Sequence, residues 1–152
     1  MFYNYTALTD ASNLYLGSLH LKTGCYQDMF RGCTGLTSAP AILATTGANN
    51  CCHSMFRGCT SLTTAVIPHI LDYTNTNQAD MYMYRDCTSL TTVPTLPATS
   101  LWTNTYNSMF QGCTALTTGP YIKAATGSSY AMDNMFDGCT SLNYVHVTKM
   151  PV

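Results

Sequence analysis

One short phrase, Met-Phe-x-Gly-Cys-Thr-x-Leu-Thr, is written six times with a few substitutions, beginning at Met1, Met29, Met55, Met83, Met109 and Met135. The steps between copies are 28, 26, 28, 26 and 26 residues. A fixed period in the twenties predicts stacked coils, because so short a unit buries its apolar side only when the next unit lies on it. These coils account for nearly all of the 152 residues, so one domain spanning 1–152 is expected. A chain that opens inside a repeat phrase and stops at Pro151 and Val152 reads as a fragment of a longer protein or one subunit of an assembly.

Within a copy the residue types suggest local structure. Asn49 and Asn50 are good helix N-caps, Cys51 to Phe56 suit a short helical turn, and Gly58 stands where a left-handed C-cap is wanted. Four copies carry glycine there; the exceptions, Asn4 and Asp86, are the other residue types that best tolerate positive φ. Next comes a leucine in every copy (Leu8, Leu36, Leu62, Leu90, Leu116 and Leu142), followed three residues later by a small or aliphatic side chain. That spacing predicts an α/β solenoid. Its form is a right-handed leucine-rich-repeat coil of about six repeats of 26–28 residues, with one short-stranded parallel sheet and short helical turns on the opposite side. Pro40, Pro94 and Pro120 cannot donate to a ladder and keep the strands short. The two longer steps are expected to bulge on the return path between sheet and helical turn.

Eight cysteines would ordinarily prompt a search for disulfides. Five of them, Cys33, Cys59, Cys87, Cys113 and Cys139, hold one repeat position, which stacks them side by side. Parallel Cβ vectors do not converge as a disulfide requires, so free, buried thiols are expected. Cys25 and Cys51 form a second column and Cys52 is left over.

The segments MFRGCTSLTTAVIP, CTSLTTVPTLPATSL and MFQGCTALTTGPYI resemble the leucine-rich repeats of BspA-like bacterial surface proteins. The resemblance covers almost the whole chain. It implies a secreted or surface-exposed protein that recognises protein or glycan ligands through its repeats, with adhesion as the typical role. Similar repeats also suit phage attachment structures. The resemblance brings no catalytic residues and no cofactor. The chain departs from the pattern where Tyr5 replaces the cysteine and Tyr84 the phenylalanine, and it shows no export signal of its own.

Only 9% of residues are charged, with seven Asp, no Glu and net charge −1, while threonine occupies 25 positions. Six scattered Lys and Arg give no basic footprint for nucleic acid, and no apolar run is long enough to span a membrane. His20, His53, His69 and His146 fall at different repeat phases, and adjacent residues such as Cys51, Cys52 and His53 are expected to diverge on a turn, so neither a metal site nor an enzyme is expected.

Two surfaces remain as candidate sites. Alternation about the inward aliphatic turns Ser38, Thr64, Thr92, Thr118 and Tyr144 outward in one column. It turns Pro40, Val66, Pro94, Pro120 and His146 outward in the next, and this sheet face is where ligand binding is expected, centred on Thr64, Thr92, Thr118, Tyr144 and His146. Arg31, Arg57 and Arg85 share a repeat position and stack three cations, a stripe for an anionic ligand or a set of charges at helical C-termini. Uncapped apolar end coils leave self-association through the ends as a further expectation, up to an extracellular fibre.

Overall fold

The computed structural model describes residues 1–147, and the chain end with Pro151 and Val152 lies outside the described residues. The repeats do stack coil on coil. The expected helical turns and continuous sheet are not there: the described residues contain no helix and only four short strands. These are β1 (Ser100–Leu101), β2 (Thr118–Ile122), β3 (Thr126–Gly127) and β4 (Tyr144–Val147). They form two two-stranded parallel sheets, β1 with β3 and β2 with β4. The α/β solenoid reading is therefore corrected.

The physical reason lies in the backbone of the Met-Phe segment. Every fourth residue takes positive φ, as at Asn50, Ser54 and Gly58, or Gln78, Tyr82 and Asp86. A residue in that region cannot continue a right-handed helix. The amides instead alternate in their use. Cys51, His53, Met55, Arg57 and Cys59 each donate to the carbonyl three residues back, closing consecutive β-turns. Asn50, Cys52, Ser54, Phe56 and Gly58 each donate to the next coil, on Asn77, Ala79, Met81, Met83 and Arg85. No amide in the run donates to a carbonyl four residues back. Positive φ at the third residue of a turn is the type II signature, which explains Gly, Asn, Asp and Ser at these places.

Elsewhere the coils touch through isolated parallel bridges, including Asp10 to Ser38, Leu16 to Ile42, His20 to Thr46 and Thr64 to Thr92. Prolines interrupt the ladder here, and β2, which contains Pro120, shifts register between Thr118 and Tyr121. One two-residue insertion falls as expected between bridge and turn face: five residues separate Asp72 from Gln78, where three separate Ser100 from Asn104. Tyr73 enters the core from this segment.

Three columns build that core. Leu36, Leu62, Leu90 and Leu116 are fully buried, each worth about 1.5–3 kcal/mol relative to exposure. Phe2, Phe30, Phe56, Tyr84, Phe110 and Phe136 stack with centroids 5.2 to 5.8 Å apart and planes within 9° of parallel. Tyr84 keeps the ring of the position it fills and adds a hydroxyl that meets both the N–H and the C=O of Val66. The third column is the thiols, all free. Each donates to the carbonyl of the aromatic one coil back, from Cys33 on Phe2 at 2.9 Å to Cys113 on Tyr84 at 3.2 Å. Cysteine is used here as a compact donor as well as a small apolar body.

Candidate functional site

The threonine face is assembled by coil stacking. Thr64 bridges Thr92, and Thr118 pairs with Tyr144 across β2 and β4. Thr64, Thr92, Thr118, Tyr144 and His146 are all exposed, with Ser38 half-buried at the start of the column. Inter-coil hydroxyl bonds on this side belong to the preceding residue, where Thr37 donates to Thr9 and Thr91 to Thr63. At the far end Tyr144 and His146 lie 3.1 Å apart through their hydroxyl and Nδ1, and the His146 ring sits 4.5 Å from that of Tyr121. The neighbouring column differs from expectation. Pro40 and Pro120 are buried and Val66 half-buried, so only Pro94 and His146 of that set face solvent. Loss of regular pleating between bridges removes the strict alternation on which that expectation rested.

The arginine stripe is brought together, but not at helix ends. Arg57 and Arg85 both reach Asp86, at 3.7 and 3.5 Å, and both lie over the Tyr82 ring, at 5.7 and 5.3 Å. Arg31 pairs with Asp28 at 3.3 Å and covers Tyr3. Tyr82 holds φ of +57°, uncommon for a bulky residue, and its ring also meets the edge of His53. Burial lowers the pKa of His53, opposed by nearby Asp28. Arg57 and Arg85 thus form a partly neutralised pair on Tyr82, while Arg31 has its own partners in Asp28 and Tyr3. Repeat phase alone gave the arginines; it could not give Tyr82 or Asp86, whose importance depends on which rings and carboxylates sit between coils.

Sequence reasoning also missed a groove of about 400 Å³ lined by Ile67, Pro68, His69, Pro94, Thr95, Pro97 and Lys123. It adjoins the threonine face, because Ile67 and Thr95 each follow a face threonine by three residues. The available signal was the proline pairing of adjacent coils, Pro68 beside Pro94 and Pro97. The groove offers apolar walls with an imidazole and an ammonium at its rim, a combination that suits a ligand with a flat apolar face and a carboxylate.

The buried thiols are poor nucleophiles. Burial pushes Cys59 up to about 12 and raises Cys87 well above the ordinary thiol range, so both remain protonated at neutral pH. No helix among the described residues is long and apolar enough to cross a membrane. Searches of protein-family models, curated proteins and solved structures find no match to this chain.

Proposed function

We propose that this chain is a non-enzymatic binding or adhesion module, displayed outside the cell, that meets protein or glycan ligands with its threonine face and the adjoining groove. The carrying observation is the exposed column Thr64, Thr92, Thr118 and Tyr144, in which Thr64 pairs with Thr92 and Thr118 with Tyr144, beside a groove that holds His69 and Lys123. Closely spaced hydroxyls and one aromatic ring offer hydrogen-bonding and stacking partners to a sugar or an extended peptide. The resemblance of the repeat phrase to BspA-like surface repeats supports the same reading. Immobilised glycans and extracellular-matrix proteins test it. Binding that falls at least about tenfold, roughly 1.4 kcal/mol, in the Thr64→Ala, Thr92→Ala, Thr118→Ala triple variant supports it. Unchanged binding in that variant, or no binder in the panel, counts against it.

A second reading, a structural subunit stacked end to end in a fibre or phage attachment structure, draws on the polarity of the turn face. Amides of each coil donate to the next coil and carbonyls accept from the one before, so two copies meeting head to tail present matched groups. Met1, Tyr3, Tyr5, Tyr15 and Leu19 on the first coil are exposed apolar surface for such a contact. Particles that lengthen with concentration in sedimentation and electron microscopy would favour it over the first reading.

A further inference from the structure

The core position three residues before each internal Met is filled in successive coils by Tyr26, Cys52, Asp80, Tyr106 and Met132. A carboxylate in that series is out of character, since Asp80 is fully buried and an isolated buried charge is costly. One oxygen accepts a hydrogen bond from the Tyr73 hydroxyl at 2.5 Å. The other, Oδ1, is buried without an N–H or O–H donor, and the Cys52 thiol lies against the carboxylate. Around the carboxylate stand two thiols. The Cys51 and Cys52 sulfurs and an Asp80 oxygen all lie within 4.8 Å of one another, with all three residues buried.

The turn geometry explains why neighbours in sequence converge. In the Met-Phe segment residues point inward in pairs, and Cys51 and Cys52 are such a pair, both completely buried. Gly47 stands beside the group, where a Cβ would crowd Ile70 at 3.2 Å and make ordinary contact with the Cys51 sulfur and the Tyr73 ring, at 3.4 and 3.5 Å. Tyr73 follows the bridging Asp72 as Leu101 follows Ser100, so it fills a regular repeat position and supplies the hydroxyl that orients Asp80.

We propose that Cys51, Cys52 and Asp80 form a binding site for a soft divalent d10 cation, zinc in chemical class, held inside the coil stack. Two sulfurs and one carboxylate oxygen are zinc-type donors. Tetrahedral zinc, with Zn–S near 2.3 Å, wants its sulfurs about 3.8 Å apart, so the two sulfurs need to draw in by no more than about 1 Å, and a sulfur and the oxygen by about 1.3 Å. On binding, two metal–sulfur bonds and one metal–oxygen bond form. The two thiol protons leave to solvent, together with any proton on Asp80. No electron is transferred. Because the donors are fully buried, the ion enters as the coils close, and its binding contributes to folding.

The test uses the whole chain, unfolded under reducing conditions and refolded with increasing cadmium, a spectroscopic stand-in for zinc. The expected result is thiolate-to-metal ultraviolet absorption that saturates at one equivalent, with a higher melting temperature. Cys52→Ser should abolish the signal, Asp80→Asn should weaken binding at least about tenfold, and Cys59→Ser, in the other thiol column, should leave it intact. Cadmium NMR on the unmodified chain counts sulfur ligands directly and keeps the test decisive where a variant fails to fold. Two sulfurs support the site. Absence of stoichiometric absorption, survival of the signal in Cys52→Ser, or a sulfur count other than two overturns it.

Discussion

The turn face and the threonine face are made by the same six repeats, yet they hold their coils together differently. On the turn face every second amide crosses to the next coil, and the crossing bonds from Asn50 to Gly58 follow without interruption. Along the threonine face and the rest of the coil, contact is reduced to single bridges and two short sheets among the described residues. The difference follows from where each face keeps its special residues. Positive φ at every fourth position gives the turn face a local rule that each coil can satisfy alone, whereas a strand ladder needs uninterrupted donors, and Pro40, Pro94 and Pro120 withhold them. A chain can thus be rigid on one side and leave the other free to vary.

The largest expected effect would break this contrast at its core. Leu90, fully buried between the two faces, should cost about 2–5 kcal/mol when changed to Ala, measured by chemical denaturation. Less than about 1 kcal/mol would mean that the leucine column is not where the faces meet. Next comes the thiol column. Cys59→Ala removes a buried sulfur and its bond to Phe30, and a loss of about 1–2 kcal/mol is expected.

Smaller still, and more pointed, is Gly58→Ala. A Cβ there would meet nothing nearer than 3.9 Å, so any cost comes from its φ of +72° alone. About 1–2 kcal/mol is expected, and no cost at all would remove positive φ as the organiser of the turn face. Tyr82→Asn sharpens the same point in the other direction, because Asn tolerates φ of +57° better. Stability should change by less than about 1 kcal/mol, relief of backbone strain offsetting the lost contacts to Arg57 and Arg85. The smallest effect belongs to the threonine face, where Thr92→Ala should change stability by less than about 0.5 kcal/mol. A loss comparable to that of Leu90→Ala would show the face to be structural.

The stacking of coils, the leucine core and the free thiol column were legible in the sequence because each depends only on period and phase. Helical turns were misread for an identifiable reason. Residues 51 and 52 are buried, 53 is half-buried, and 55 and 56 are buried again; a repeat of four is hard to tell from 3.6 over ten residues. The deciding signal was present in Asn50, Ser54 and Gly58, three turn-forming residues at that same spacing, of which only the last was read as a left-handed position. The threonine column and the arginine stripe could be found by phase. Tyr82, Asp86 and the groove at Pro94 could not, since they arise from what neighbouring coils place beside each other. Cys51 and Cys52 are adjacent on a turn, where divergence is expected; burial of both side chains brings them together.

The one-way hydrogen bonding of the turn face has a mechanical consequence. All crossing bonds between two given coils act side by side, and successive layers act one after another. Tension applied along the stack is therefore carried in full by every layer, and the layer with the fewest or weakest crossings sets the force at which the array parts. A pull directed across the stack instead is shared by all six coils at once. A protein of this build that anchors one object to another would withstand sideways drag better than lengthwise traction, and its extension under load would proceed in steps of one coil.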